Sequence, residues 1–241
     1  MPSRKDISLR RIIQLLVVSA LTATTVVAFA GAGQAQTGTG DLATFCAARI
    51  EANSAETKAD NIAVLTKMVG SAPAAVSTPM ADLLALVKKQ GDKAFESKEG
   101  TALLATLEPY IYDNCPGKQL PVTAIDYEYQ GVPATLPAGI TKIKMTNAAP
   151  KEDHMMAMVK LTAAGEAMDL DKLLAMPQKK QEKYFDFSNA AFMEAKPGGV
   201  GYSPINLTPG KYAYMCFFPE GGKKNGKPHF LLGMAGTVTV S

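Results

Sequence analysis

Residues 211–240 read Lys211-Tyr-Ala-Tyr-Met-Cys216-Phe-Phe-Pro219, a Gly- and Lys-rich run, Pro228-His229-Phe-Leu-Leu-Gly233-Met234, and Ala-Gly-Thr-Val-Thr-Val240. Alternation puts Tyr212, Tyr214 and Cys216 on one face of a strand, and Met234, Val238 and Val240 on one face of a closing strand. One Cys, one His and one Met therefore follow each other where two strands end and begin. The other histidine of the chain, His154, lies on an earlier strand-like run. A soft thiolate, two imidazoles and a thioether at strand ends make up the donor set of a mononuclear metal site.

Working backwards, the period stays near two as far as Pro121. Val122, Ala124, Tyr127 and Tyr129 lead through Gly131 and Pro133 to a Leu136-Pro137-Ala138-Gly139 turn. Ile140 to Asn147 and Glu152 to Leu161 then read as two strands, separated by Ala148-Ala-Pro150. Short strands between turns predict a sandwich. Residues 163–203 break the pattern with a short helix around Leu170, Leu173 and Leu174 and a Gly/Pro-rich Lys196-Pro-Gly-Gly, and are read as a cover inserted between strands. Leu207-Thr-Pro-Gly210 is the turn into the strand that carries Cys216.

Ahead of Pro121 the spacing is helical. Leu42, Phe45, Cys46 and Ile50 share a face, as do Ile62, Leu65, Met68 and Val69; Leu83, Leu84 and Val87; and Leu103, Leu104, Leu107, Tyr110 and Ile111. Four short helices are expected, broken at Gly70-Ser-Ala-Pro, at Thr78-Pro79 and at Gly91. Asn114-Cys115-Pro116-Gly117 ends the region, and residues 116–121 read as a linker. This half has no histidine and is expected to be a packing or docking domain. A small-ligand or haem-binding bundle would have to use Tyr or Met ligands such as Tyr110, Tyr112 or Met68, and no spacing singles them out.

The first 36 residues have the form of an export leader: Arg4, Lys5, Arg10 and Arg11 against Asp6, an apolar run from Ile12 to Ala30, and a small-residue segment with cleavage possible after Ala30, Ala32 or Ala35. Arg10-Arg11 is compatible with twin-arginine export. The rival reading is an uncleaved anchor, since the apolar run approaches spanning length. Without the leader, Lys+Arg and Asp+Glu balance at 21 each, which argues against nucleic acid as a partner. Export also gives meaning to three cysteines. Cys46 and Cys115 bracket the helical region, so a bridge between them would close a long loop and leave Cys216 as a free thiol in need of a role.

At this point the chain resembles the cupredoxins, the plastocyanin-like and pseudoazurin-like blue copper proteins. The residues that carry the resemblance are the Pro137-Ala138-Gly139 turn, Asn147 shortly before His154, Pro209-Gly210-Lys211-Tyr-Ala-Tyr-Met-Cys216, Pro228-His229, and Gly233-Met234-Ala-Gly236-Thr-Val-Thr-Val. The resemblance covers residues 121–241 and implies one copper ion held by His154, Cys216, His229 and an axial Met234. The implied architecture is an α+β two-domain protein: a leader over 1–36, a disulfide-closed helical bundle over 41–118, and an all-β Greek-key sandwich with a helical insertion over 121–241. Two departures stand out. Twelve residues separate Cys216 from His229, where the family has two to four, and Met155 follows His154 where plastocyanins have Asn.

The implied activity is single-electron transfer with an unidentified redox partner protein, in the envelope or outside the cell, and not enzymatic turnover. Copper capture or delivery, with a copper donor or acceptor as partner, uses the same ligands. A metal-free interaction module is the third possibility. Two histidines cannot supply a second, multi-copper centre. Met145, Met155, Met156 and Met158 could form a soft Cu(I) patch, but alternation splits them between faces, and core packing is the expected role for most. Lys223, Lys224 and Lys227 beside the site would suit an acidic partner, or simply a solvated loop.

Overall fold

A computed structural model describes residues 40–241, so the leader lies outside the described residues. Helices come first: α1 (Leu42–Glu51), α2 (Lys58–Ser71), α3 (Ser77–Gln90), a one-turn α4 (Lys93–Glu96) and α5 (Lys98–Asn114). Their ends follow local chemistry. Asp41 caps α1, and Thr57 with Asp60 forms a reciprocal capping box on α2. At Gly91 a positive φ of 65° ends α3. The apolar faces read from the sequence meet in one core that includes Phe45, Leu65, Met68, Leu83, Val87, Leu107 and Ile111. The Cys46–Cys115 disulfide joins the first and last long helices of this core. Met68 is spent in that packing and Tyr112 at the seam with the sandwich, against the Tyr202 ring.

Two sheets pack face to face behind the helices. One has the order β2-β1-β4-β7 and the other β3-β9-β8-β5-β6, with β1 Lys118–Ile125, β2 Glu128–Gln130, β3 Thr135–Leu136, β4 Gly139–Asn147, β5 His154–Leu161, β6 Phe185–Ala195, β7 Val200–Leu207, β8 Gly210–Met215 and β9 Ala235–Val240. Strands β1 and β4 pair in parallel, as do β3 and β9, and the remaining pairs are antiparallel. The core between the sheets includes Ile143, Met145, Met156, Met158, Ile205, Tyr212 and Val238. All four methionines of the suggested soft patch are buried.

Two sequence expectations need correction. The segment 116–121 is not a free linker, because β1 already pairs with β4 from Lys118, opposite Thr141. Pro121 is tolerated there because its outer neighbour β2 engages only from Thr123 onward. The cover is also shorter than residues 163–203. Helices α6 (Ala163–Glu166), α7 (Leu170–Leu174) and α8 (Gln178–Gln181) form it, and β6 and β7 follow as full strands. Alanines at 190, 191 and 195 occupy buried positions of β6, and such small side chains give little hydrophobic signal.

The helices cover the side of the sandwich where the two edge strands β6 and β7 lie next to each other, which shields those two edges. Lys142 of β4 reaches the C-terminal end of α5 and donates to the carbonyls of Tyr112 (2.6 Å) and Cys115. From α5 outward, Gln119 donates to the Tyr112 carbonyl at 3.1 Å. Ser54 donates to the Ser188 carbonyl at 3.1 Å across the same seam.

Candidate metal centre

Sheet register brings the ligand positions to one end of the sandwich. Ala157 in β5 faces Met215 in β8, and Met215 faces Ala235 in β9. The start of β5, the end of β8 and the start of β9 are therefore neighbours. His154 is the first residue of β5, Cys216 follows the last residue of β8, and Met234 precedes β9. His154, Cys216, His229 and Met234 are all fully buried.

The insertion between Cys216 and His229 is solved by folding it back on itself. The His229 N–H donates to the Phe218 carbonyl (2.9 Å), Pro219 bridges Pro228, and the Glu220 N–H donates to the Lys227 carbonyl (2.9 Å). Residues 219–228 thus leave and return at one point, and only Phe217 and Phe218 span the distance from Cys216 to His229. Gly221 and Gly222, with φ of 65° and 63°, make the tip. Further backbone bonds fix the return: Phe230 N–H to the Cys216 carbonyl (2.9 Å), Met234 N–H to the His229 carbonyl (3.0 Å) and Cys216 N–H to the Met234 carbonyl (3.1 Å). These bonds place the main chain of Met234 beside both other ligands of its loop.

Three donor atoms converge. The Nδ1 atoms of His154 and His229 are 3.2 Å apart, and Cys216 Sγ is 3.4 Å from His229 Nδ1. Ligand atoms of all three residues lie within 4.8 Å of one another. Nε2 of each imidazole is buried without a hydrogen-bond partner, so the close polar contacts of these rings are at their convergent Nδ1 edges. Burial pushes the His154 pKa down to about 4, helped by neighbouring His229, and depresses His229 as well. Burial pushes the Cys216 thiol up to about 11, against hydrogen bonds from the Met155 and Phe218 N–H groups and from Tyr129. The pocket therefore presents two neutral imidazoles and a thiol at neutral pH. Neutral imidazole is the ligating form, and the thiol is the group that must lose a proton to join it.

Two residues hold this arrangement, and only one of them, Glu152, was passed over in the sequence. Asn147 donates to the carbonyls of Glu152 and Ala195 (both 2.8 Å) and accepts from the Ala149 N–H (2.9 Å). It therefore braces the loop before His154 and supplies the amide that Met155 does not. Asn147 was noticed only as part of the resemblance. Glu152 accepts from the Gly221 N–H at 3.1 Å and 3.2 Å and lies 3.7 Å from His229 Nε2. It ties the folded-back hairpin to the loop ahead of His154. Tyr127, at φ 61°, sets its ring edge-on to His229 at 4.9 Å.

No protein-family model matches the chain, and neither does any curated protein. Among solved structures it is similar to reduced auracyanin from the photosynthetic bacterium Roseiflexus castenholzii, with 21% identity, 52% of this chain and 98% of that one covered, and a TM-score of 0.35. Auracyanin A, a blue copper protein of the green thermophilic photosynthetic bacterium Chloroflexus aurantiacus, is 21% identical over 50% of this chain and 99% of its own, at 0.30. An azurin of the methylotroph Methylomonas sp. strain J is 16% identical over 52% and 99%, at 0.32. By its own topology, a two-sheet sandwich with His154, Cys216 and His229 gathered at one end, the C-terminal half of this chain has a cupredoxin-like fold.

Proposed function

We propose that the chain is an exported, non-enzymatic protein that holds one copper ion and passes single electrons to and from a partner protein. The observation that carries this reading is the convergence of His154 Nδ1, His229 Nδ1 and Cys216 Sγ in a fully buried pocket. The residues fit copper: a soft sulfur and two imidazoles are the donors that this metal prefers over harder cations. Met234, held by its backbone next to Cys216 and His229, would be the fourth ligand. Copper held by His154, Cys216, His229 and Met234 would supply one-electron Cu(I)/Cu(II) chemistry there.

The protein's part is to prepare that site. His154 and His229 are kept neutral by burial, and Cys216 releases its proton on metal uptake, so uptake should be pH-dependent. The N–H of Met155, 3.5 Å from Cys216 Sγ, lowers the electron density on sulfur and so tunes the potential. Phe217 and Phe230 pack edge to face at 5.6 Å beside His229 and limit water access. Leu231, half exposed on the same loop, together with Lys223, Lys224 and Lys227 on the hairpin tip, is the proposed meeting point for an acidic partner.

The test is to add one equivalent of Cu(II) to the full chain with Cys216 reduced and record the visible spectrum beside Cys216→Ser. An intense thiolate-to-copper band absent from Cys216→Ser, with a reversible one-electron couple, is expected. A retained but colourless Cu(I) form would replace electron transfer with copper capture or delivery. Copper that is neither retained nor reduced would leave an interaction module.

A further inference from the structure

Between the helices and the β6–β7 side of the sandwich is a cavity of about 570 Å³. Met68, Leu83 and Leu104 line it from the helices, and Met155 and Phe192 from the strands. The space opens to solvent past Thr101, Ala105 and Val200, and a cleft of this size between two packed layers has the dimensions of a small-molecule site.

The charge of the lining narrows the ligand class. Asp92, Glu96, Glu108 and Glu194 face the cavity against a single cation, Arg49. Arg49 is already committed: Nε and one terminal nitrogen reach Glu108 Oε1 at 3.1 and 3.0 Å, and the other terminal nitrogen donates to Asn53 at 3.0 Å. Asp92 accepts from Asn61 at 2.8 Å. The second carboxylate oxygen of Glu108 is buried with no hydrogen-bond partner, a costly condition that a donor would relieve. An anion would meet net repulsion, and a purely apolar molecule would leave that oxygen unmatched.

We propose that this cavity binds an apolar amine, its ammonium group on Glu108 Oε2 and its body along Met68, Leu104, Met155 and Phe192. The site is independent of the copper reading but lies next to the metal centre. Met155 lines the cavity, follows His154, and donates its N–H to Cys216 Sγ.

The experiment is a fluorescence titration of the full chain with three probes that share one fluorophore: dansylcadaverine (cationic), dansylamide (neutral) and dansylglycine (anionic). Saturable, blue-shifted binding of dansylcadaverine at one site is expected, at least tenfold tighter than dansylglycine. Glu108→Gln, which keeps an acceptor for Arg49, is expected to weaken dansylcadaverine about tenfold and leave dansylamide unchanged. Ala105→Trp, at an exposed lining position on α5, is expected to weaken both. Absence of saturable binding, equal affinity for the anionic probe, or indifference to both substitutions in variants with unchanged circular dichroism would overturn the proposal.

Discussion

The helical half and the ligand end of the sandwich are built on opposite terms. In the helical half, capped helices bury matched apolar faces and one disulfide closes the set, and its buried polar side chains Asn61 and Ser71 find hydrogen-bond partners. At the ligand end, two imidazoles and a thiol are buried together, each imidazole leaves a nitrogen unpaired, and their positions depend on backbone bonds between loops. The helical half departs from its pattern of satisfied groups at Glu108 Oε2, a single carboxylate oxygen on the wall of its cavity. The ligand end breaks the rule that buried polar groups are satisfied at both of its imidazoles, and such local conflict is where function is to be sought.

The largest effect should come from the disulfide, which acts on one region only. Replacing both Cys46 and Cys115 by Ala opens a loop spanning 69 positions and is expected to cost about 4 kcal/mol by the loop-entropy relation. Thermal loss of the 222 nm helical signal should move to lower temperature while the visible copper band persists above the new transition. Simultaneous loss of both signals would show that the two regions unfold as one, and would break the comparison.

A second experiment reads the unsatisfied groups at the ligand end, in protein stripped of metal. The folded-state pKa of His154 lies at about 4 against an ordinary 6.5, so the unfolded chain takes up the proton first as pH falls. Stability should therefore drop from pH 6.5 towards 4, by at most about 3 kcal/mol from this residue. Cys216 has the reverse sign, because its folded pKa of about 11 exceeds the ordinary 9.0. Between those values the unfolded chain has lost a proton that the folded one keeps, so stability falls again with rising pH. Melting temperature against pH should show a plateau between the two arms, and Cys216→Ser should remove the part of the alkaline arm that begins near pH 9, leaving the fall at higher pH to tyrosines such as Tyr129, whose pKa burial also raises. A flat acid arm would mean that His154 is hydrated.

The comparison also explains what could be read from sequence. Helical faces with several large apolar residues, such as Leu83, Leu84 and Val87, announced themselves by period. The three converging ligands were legible because the chain has only two histidines and one cysteine left over from the bridge. Strand β6 was hidden because alanines fill much of its buried face. Glu152 was hidden because nothing distinguishes it among 22 acidic residues until Gly221 and His229 are brought against it by a distant hairpin. The interdomain cavity has no sequence signature at all, since its walls come from both halves of the chain.

Glu152 should give a smaller effect than either disulfide or titration. Glu152→Ala removes the tie between hairpin and His154 loop, leaving the ligands in place but less firmly held. Loss of such an outer partner is expected to lower copper affinity about tenfold, measured by competition with a chelator, with little change in melting temperature. An unchanged affinity would assign the positioning of His229 to the backbone bonds alone.

The hairpin itself should matter least. Replacing residues 220–227 by Asn-Gly, a two-residue turn suited to joining paired strands, keeps the Pro219–Pro228 bridge and the His229 to Phe218 bond. Shortening a loop twofold changes its closure entropy by only about 0.6 kcal/mol, so melting temperature and copper spectrum should both stay nearly as they were. The trimmed protein also divides the two contacts of Glu152, because it lacks Gly221 but retains His229. If Glu152→Ala still weakens copper tenfold in the trimmed background, the carboxylate acts on the His229 ring; if the effect vanishes, it acts through the hairpin. A collapse of the copper spectrum on trimming would show that the tip, and not the Phe218–His229 closure beneath it, holds His229 in reach of Cys216.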